Sequence, residues 1–266
     1  HSQHRRARRS MPPTLRGFPP GLVMKARRVC ARPIPCRMST PPICAILGAT
    51  SWKSSMPDSR PHKTRPEIAQ LRAEITACSA CSDLPFGPRP LFQIGAGARI
   101  LIAGQAPGRR THLAGRLFDD ASGVRLRNWL GLDEATFRDP EKIAILPMGF
   151  CFPGTGRSGD LPPRPECAPL WRVRAMALLP DIMLTVVIGR YAQNWHLPET
   201  SHLPLAEAMR DWPARWPASI LLPHPSPRNM AWFQRNVWFE TDLLPVLQAR
   251  VIELVGKCAE QRTLGH

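Results

Sequence analysis

The sequence predicts an α/β fold, a three-layer αβα sandwich around a central, mostly four-stranded parallel sheet. Three observations lead there. Four short apolar runs recur: Ile100–Ala103, Ile143–Leu146, Ile182–Ile188 and Ile220–Leu222. Each stops at a Gly or Pro, namely Gly104, Pro147, Gly189 and Pro223. Such a run reads as a buried strand emptying into a tight loop. Stretches with helical spacing separate the runs, and strand–helix–strand alternation is the signature of a parallel sheet.

The elements follow in order. Residues 66–76 (PEIAQLRAEIT) place Ile68, Leu71 and Ile75 on one helical face, with Pro66 in the first turn. This helix delivers Cys78-Ser79-Ala80-Cys81, and a loop at 85–90 leads to the first strand. That strand empties into Gly104-Gln105-Ala106-Pro107-Gly108. Glycine there lets a ligand approach the backbone, and ligands of open α/β sheets sit at strand carboxyl ends. An ordinary strand-to-helix turn would look the same. Val124–Leu132 reads as a helix closed by Gly131. The segment 147–167 (PMGFCFPGTGRSGDLPPRPEC) is irregular, and a connection of this length is usually functional. Pro169–Leu179 fits a helix, Tyr191–His196 begins another, and 197–218, rich in Pro and Trp, carries no assignment. The fourth strand runs into Pro223-His224-Pro225-Ser226-Pro227-Arg228-Asn229. A last helix lies within Trp238–Val255, broken at Pro245.

Charge divides the chain. The net charge is +16, but residues 1–66 hold 14 Lys/Arg against the single acid Asp58. The other 200 residues hold 22 Lys/Arg against 19 acids. The body is therefore only mildly basic, which permits nucleic-acid binding without demonstrating it. The first 66 residues also carry 11 prolines and no apolar period. Residues 1–65 are expected to be a disordered basic extension, with Met56 as a candidate start of the protein. The folded domain is expected over 66–255, with 256–266 as a tail. No signal peptide stands out, and no apolar run approaches the roughly 18 residues of a membrane span. The expected compartment is the cytoplasm, where cysteines serve as metal ligands or free thiols rather than disulfides.

Of eight cysteines, Cys30, Cys36, Cys44 and Cys258 receive no role. Cys78 and Cys81 form a CxxC pair, which brings two thiolates to one centre. Cys151 and Cys167 bracket much of the irregular segment, 16 residues apart. A zinc ribbon would present a second close pair, so the spacing suits an iron–sulfur cluster better. A redox CxxC with two buried cysteines is the other reading.

These motifs together resemble the uracil-DNA glycosylase superfamily, most closely its iron–sulfur (family 4-like) branch, over roughly residues 66–250. GQAPG followed by LAGRLFDDASG is similar to the family's first motif. HPSPRN at the end of the last strand is similar to its second. The four cysteines follow the branch's order along the chain. The resemblance implies hydrolysis of the N-glycosidic bond of uracil, or a related deaminated base, in DNA, by a monomer carrying a structural 4Fe-4S cluster on Cys78, Cys81, Cys151 and Cys167, with zinc as the alternative. Phe118 would stack on the extruded base. His224 would donate a hydrogen bond to the charge developing on the leaving base. Gly104, Ala106, Pro107 and Gly108 would bind the base. Ser226, Arg228 and Asn229 would contact DNA, with Arg228 on phosphate or in the minor groove. Met230 and Arg228 are candidates for the wedge that replaces the flipped base.

The chain departs from the family at several positions. Gln105 stands where iron–sulfur relatives carry Glu, so it holds water without deprotonating it. Ala106 stands where the best-known branch has its water-activating Asp. Asp120 is the nearest spare carboxylate, as base or as stabiliser of the cationic sugar, although an acid there also suits a helix N-terminus. Pro147 occupies the position of the base-reading Asn, which leaves the backbone of 147–150 or another side chain to read the base. His112 replaces a usually acidic residue. The basic insertion of relatives that trap the abasic sugar is missing, so covalent capture is not expected. Gln105, Ala106 and Pro147 also suit an alternative: a catalytically weak or inactive DNA-binding protein of the same fold.

Overall fold

The computed structural model describes residues 64–157 and 159–263. The expected extension lies outside them, apart from Thr64 and Arg65, which open the first helix.

The chain runs α1 (Thr64–Thr76), β1 (Ile100–Ala103), α2 (Arg109–Ala114), α3 (Ala121–Leu130), α4 (Glu134–Arg138) and β2 (Ile143–Ile145). A two-stranded hairpin follows, β3 (Thr155–Gly156) and β4 (Gly159–Asp160). A wide π turn at Ala168–Arg172 leads into α5 (Val173–Ala177). Then come β5 (Leu184–Ile188), α6 (Gly189–His196), α7 (Leu205–Arg210), β6 (Ser219–Leu222), α8 (Met230–Arg235) and α9 (Leu244–Thr263).

The central sheet has the order β2-β1-β5-β6, and every pairing in it is parallel. Helices flank it, as the sequence predicts. Its side chains alternate between two cores. Ile100, Ile102, Ile143, Ile145, Val186 and Leu222 face one side with Leu126 and Leu130 of α3 and Leu247, Val251 and Leu254 of α9. Leu101 and Ala144 face the other with Ile68, Leu71 and Ile75 of α1. Both faces of these strands are covered, so the runs read as continuously apolar.

Strand order fixes where a ligand would sit. From β1 the chain moves outward to β2, then returns to place β5 on the other side of β1. The crevice of such a sheet opens at that switch point, at the strand carboxyl ends. The loop 104–108 leaves β1 there.

Several helical boundaries differ from expectation: α3 starts at Ala121 rather than Val124, α6 at Gly189 rather than Tyr191, and the last helix differs at both ends. Pro245 does not break the last helix. A π turn at Phe239–Leu243 precedes α9, and Pro245 lies in the first turn of α9, where a missing N–H costs least. The helix then runs on to Thr263, through most of the expected tail at 256–266. The unassigned stretch 197–218 contains α7 between short 3-10 turns.

Candidate functional site

One cleft of about 680 Å³ opens at the switch point. All the loop residues singled out from sequence line it: Gly104, Gln105, Ala106, Pro107, Gly108, Phe118, Asp120, His224, Ser226, Arg228 and Asn229. Pro147 and Ile188, from the ends of β2 and β5, line it too. The volume lies in the ordinary range for a small-molecule or base pocket.

Phe118 is held in an unusual conformation. Its φ is 53°, in the left-handed region that a bulky residue rarely adopts. Its carbonyl packs so tightly on Gly123 that an added Cβ would lie 1.8 Å from the oxygen. Arg127 donates to that oxygen at 3.4 Å and Arg138 at 3.5 Å. The ring meets Phe137 edge-on at 6.0 Å. The glycine of the DDASG stretch therefore serves Phe118, and the strained backbone aims the ring at the cleft.

Asp120 accepts from the Gly123 N–H at 3.0 Å and caps α3. One carboxylate oxygen of this candidate base is thus engaged in folding.

The 223–229 loop is braced from three sides. Asn229 donates to the His224 carbonyl at 2.7 Å, and Arg125 to that of Pro225 at 3.2 Å. The Ser226 hydroxyl accepts from the Arg228 N–H at 3.2 Å. Ser226 and Asn229, expected at DNA, therefore also shape the loop. The His224 imidazole is accessible from the cleft although protein encloses its other sides. That enclosure lowers its pKa, against the opposing pull of Asp120 and Asp160. At neutral pH the ring is uncharged and can donate one N–H.

The 104–108 loop is stitched to the end of β2. Met148 N–H donates to Gly104 at 2.8 Å and Gly149 N–H to Gln105 at 2.9 Å. The Gln105 side-chain amide donates to the Leu161 carbonyl at 3.2 Å. A Cβ on Gly104 would meet nothing within 4 Å, so space rather than packing accompanies this glycine.

The backbone of 147–150 is less able to read a base than expected. Pro147 has no N–H, and those of Met148, Gly149 and Phe150 are all committed within the protein. Arg172, fully buried, donates to the carbonyls of Leu146 and Pro147 and pairs with His196. Burial lowers the Arg172 pKa to about 10, still cationic at neutral pH, and lowers that of His196 to about 3.

Several lining residues carried no sequence signal: Arg109, Arg110, Ser122, Thr155 and Asp160. Asp160 is the notable one. The β3–β4 hairpin turns the middle of the irregular segment into the cleft, where a Cβ on Gly108 would lie 3.2 Å from Asp160 Oδ2. A GD dipeptide between prolines has no periodicity that would mark it. His112, unexplained from sequence, is buried on α2 with Phe86 and Phe152 at 5.7 and 5.9 Å, and is a packing residue.

Cys78, Cys81, Cys151 and Cys167 line a second, narrow pocket, and none forms a disulfide. Three of the sulfurs face N–H groups. Trp171 Nε1 donates to Cys78 at 3.2 Å, Phe150 N–H to Cys167 at 3.3 Å, and the Arg89 N–H to Cys151. A thiolate accepts such bonds far better than a thiol. Burial nevertheless pushes the Cys151 and Cys167 thiols up to about 11, and raises Cys81. A cationic centre would reverse that preference. Among the described residues, no group of three or more His, Cys, Asp or Glu side chains is placed to hold a metal ion.

The fold and the site define a class: an α/β protein with an open cleft between two motif loops at the switch point of a parallel sheet. A family model of the uracil DNA glycosylase superfamily matches residues 92–248, more than half of the chain. The chain belongs to that superfamily, whose chemistry is DNA glycosylase hydrolysis. The match includes Cys151 and Cys167 and begins after Cys78 and Cys81. Among the described residues, no helix is long and apolar enough to cross a membrane.

Proposed function

We propose that this chain is a base-excision repair enzyme that hydrolyses the N-glycosidic bond of uracil, or of a related deaminated base, in DNA. The observation that carries the reading is the meeting of Phe118 and His224 across one cleft, on loops that are far apart in sequence. An extruded base would stack on Phe118, and neutral His224 would donate to the oxygen that gains charge as the base leaves. The exposed Arg109, Arg110 and Arg228 lie at the mouth, where the DNA backbone would pass. The enzyme would act as a monomer inside the cell, with residues 66–255 as its catalytic domain.

In the same reading the iron–sulfur branch applies. Cys78, Cys81, Cys151 and Cys167 would hold a 4Fe-4S cluster whose contribution is structural, with zinc as the alternative occupant. Elemental analysis of the purified protein separates iron from zinc.

The test of function is direct. The full chain is incubated with end-labelled uracil-containing single- and double-stranded oligonucleotides, and abasic sites are cleaved with alkali. Uracil-dependent cleavage is expected. DNA binding without cleavage would leave only the binding-protein reading, to which the committed amide of Gln105 and the side chain of Pro147 lend support.

A further inference from the structure

We propose that Asp160 is the general base of this site, the carboxylate that takes a proton from the attacking water. The inference rests on the glycosylase reading above and supplies the acceptor that the 104–108 loop lacks.

Three observations place Asp160 in that role. The first is position. The β3–β4 hairpin brings Asp160 between the two motif loops, with Oδ2 beside Gly108 and with Gly159 beside Arg228, whose Nη1 would lie 3.6 Å from a Cβ on that glycine. Both loops and Asp160 line the same cleft. The second is depth. When a base enters a pocket its sugar stays at the mouth, still joined to the DNA backbone. Asp160 is exposed, whereas Phe118 is half-buried in the cleft wall. A carboxylate at the mouth faces C1′, the atom that water attacks.

The third is availability. Asp120 is engaged as the cap of α3. Asp119 pairs with Arg116 at 2.9 Å and Arg138 at 3.6 Å. Gln105 has no carboxylate, and its amide holds the Leu161 carbonyl, tying the hairpin to the loop. Among the described residues Asp160 accepts one long contact from the Thr155 hydroxyl, 3.4 Å, makes no ion pair, and interacts electrostatically with His224. It is the least committed carboxylate in the cleft.

The step balances with water alone. A water lone pair forms the C1′–O bond while the C1′–N bond breaks, and its electron pair departs with the base. His224 N–H stabilises the charge on the leaving base. The water proton passes to an Asp160 oxygen and then to solvent, and the base takes a proton from solvent. DNA closing over the mouth would exclude bulk water and strengthen the carboxylate as an acceptor.

Asp160→Asn tests this with little risk to the fold, because the side chain is exposed. Asp120→Asn is the comparison. Single-turnover excision is measured across pH at saturating DNA, alongside DNA binding by anisotropy. Asp160→Asn should lose about 10²–10⁴-fold in rate and flatten the acid limb of the rate–pH profile, with DNA binding retained. A rate within about threefold of the parent, where such a base is worth at least a hundredfold, overturns the assignment. So does a loss explained wholly by weaker DNA binding, or an Asp120→Asn variant that alone removes the acid limb. A parent protein that excises no base would instead sink the glycosylase reading itself, so the two failures are distinguishable.

Discussion

The cleft and the cysteine pocket share one stretch of chain and are built by opposite rules. The cleft is wide, about 680 Å³, and is lined by glycines, prolines and charged groups on loops. The cysteine pocket is narrow and walled by Phe150, Trp171 and Leu170 around four sulfurs, with Arg164 and Glu166 also in its lining. The segment 151–167 joins them. Its ends, Cys151 and Cys167, lie in the pocket, and its middle, Thr155, Gly159 and Asp160, lies in the cleft. Arg164 pairs with Asp83, and Leu161 N–H bonds Gly154 at 2.9 Å, so the segment is anchored by its own turns as well. A loop crossing between a closed site and an open one can be stiffened from the closed side.

That comparison yields variants whose effects differ in kind. The largest is expected from the pocket. Under the proposed cluster reading, Cys167→Ser should abolish bound metal and cost several kcal/mol of stability, because ligand loss removes binding energy that also stabilises the fold. Elemental analysis and urea unfolding check this. Excision activity that survives metal loss would separate the two regions.

The next is expected from the cleft. His224→Ala should lower kcat about 10²-fold, in line with one lost charge-stabilising donor, with metal content unchanged. Unchanged activity would remove His224 from the chemistry.

Gly123→Ala is a sharper probe of the cleft wall. Its Cβ would collide with the Phe118 carbonyl, so Phe118 must leave its left-handed conformation. Destabilisation of about 1–3 kcal/mol is expected, together with weaker binding of uracil-containing DNA. A crystal structure with Phe118 unmoved would refute the link.

The smallest effect lies behind the cleft. Burial, with Arg172 beside it, pushes the His196 pKa from its ordinary 6.5 down to about 3, so the unfolded chain binds the extra proton as pH falls. The stability this histidine contributes is complete above pH 6.5 and declines below it, down to about pH 3. Between pH 6.5 and 5 the loss is about 2 kcal/mol, at 1.36 kcal/mol per unit. His196→Gln should flatten that slope in urea midpoints measured at pH 7 and pH 5.

Much was legible in the sequence. The four apolar runs give the four strands, because a strand buried on both faces must be apolar at every position. Gly131 ends α3 at φ 65° because only glycine takes that conformation cheaply. GQAPG, LAGRLFDDASG, HPSPRN and the cysteine spacing each depend on local chain chemistry, so they mark the loops and pockets without coordinates.

Other features were decided by tertiary structure alone. Gly123 shapes Phe118 through a contact five residues back in sequence. The buried Arg172 fixes the Pro147 carbonyl from 25 residues away. Asp160 enters the cleft only because the β3–β4 hairpin comes up to the 104–108 loop, and its approach to Gly108 spans about fifty residues of chain. Hydrophobic period and turn chemistry are properties of neighbours along the chain, and a sequence displays them. The approach of one carboxylate to a distant backbone depends on the packing of the whole sheet, which no local pattern encodes.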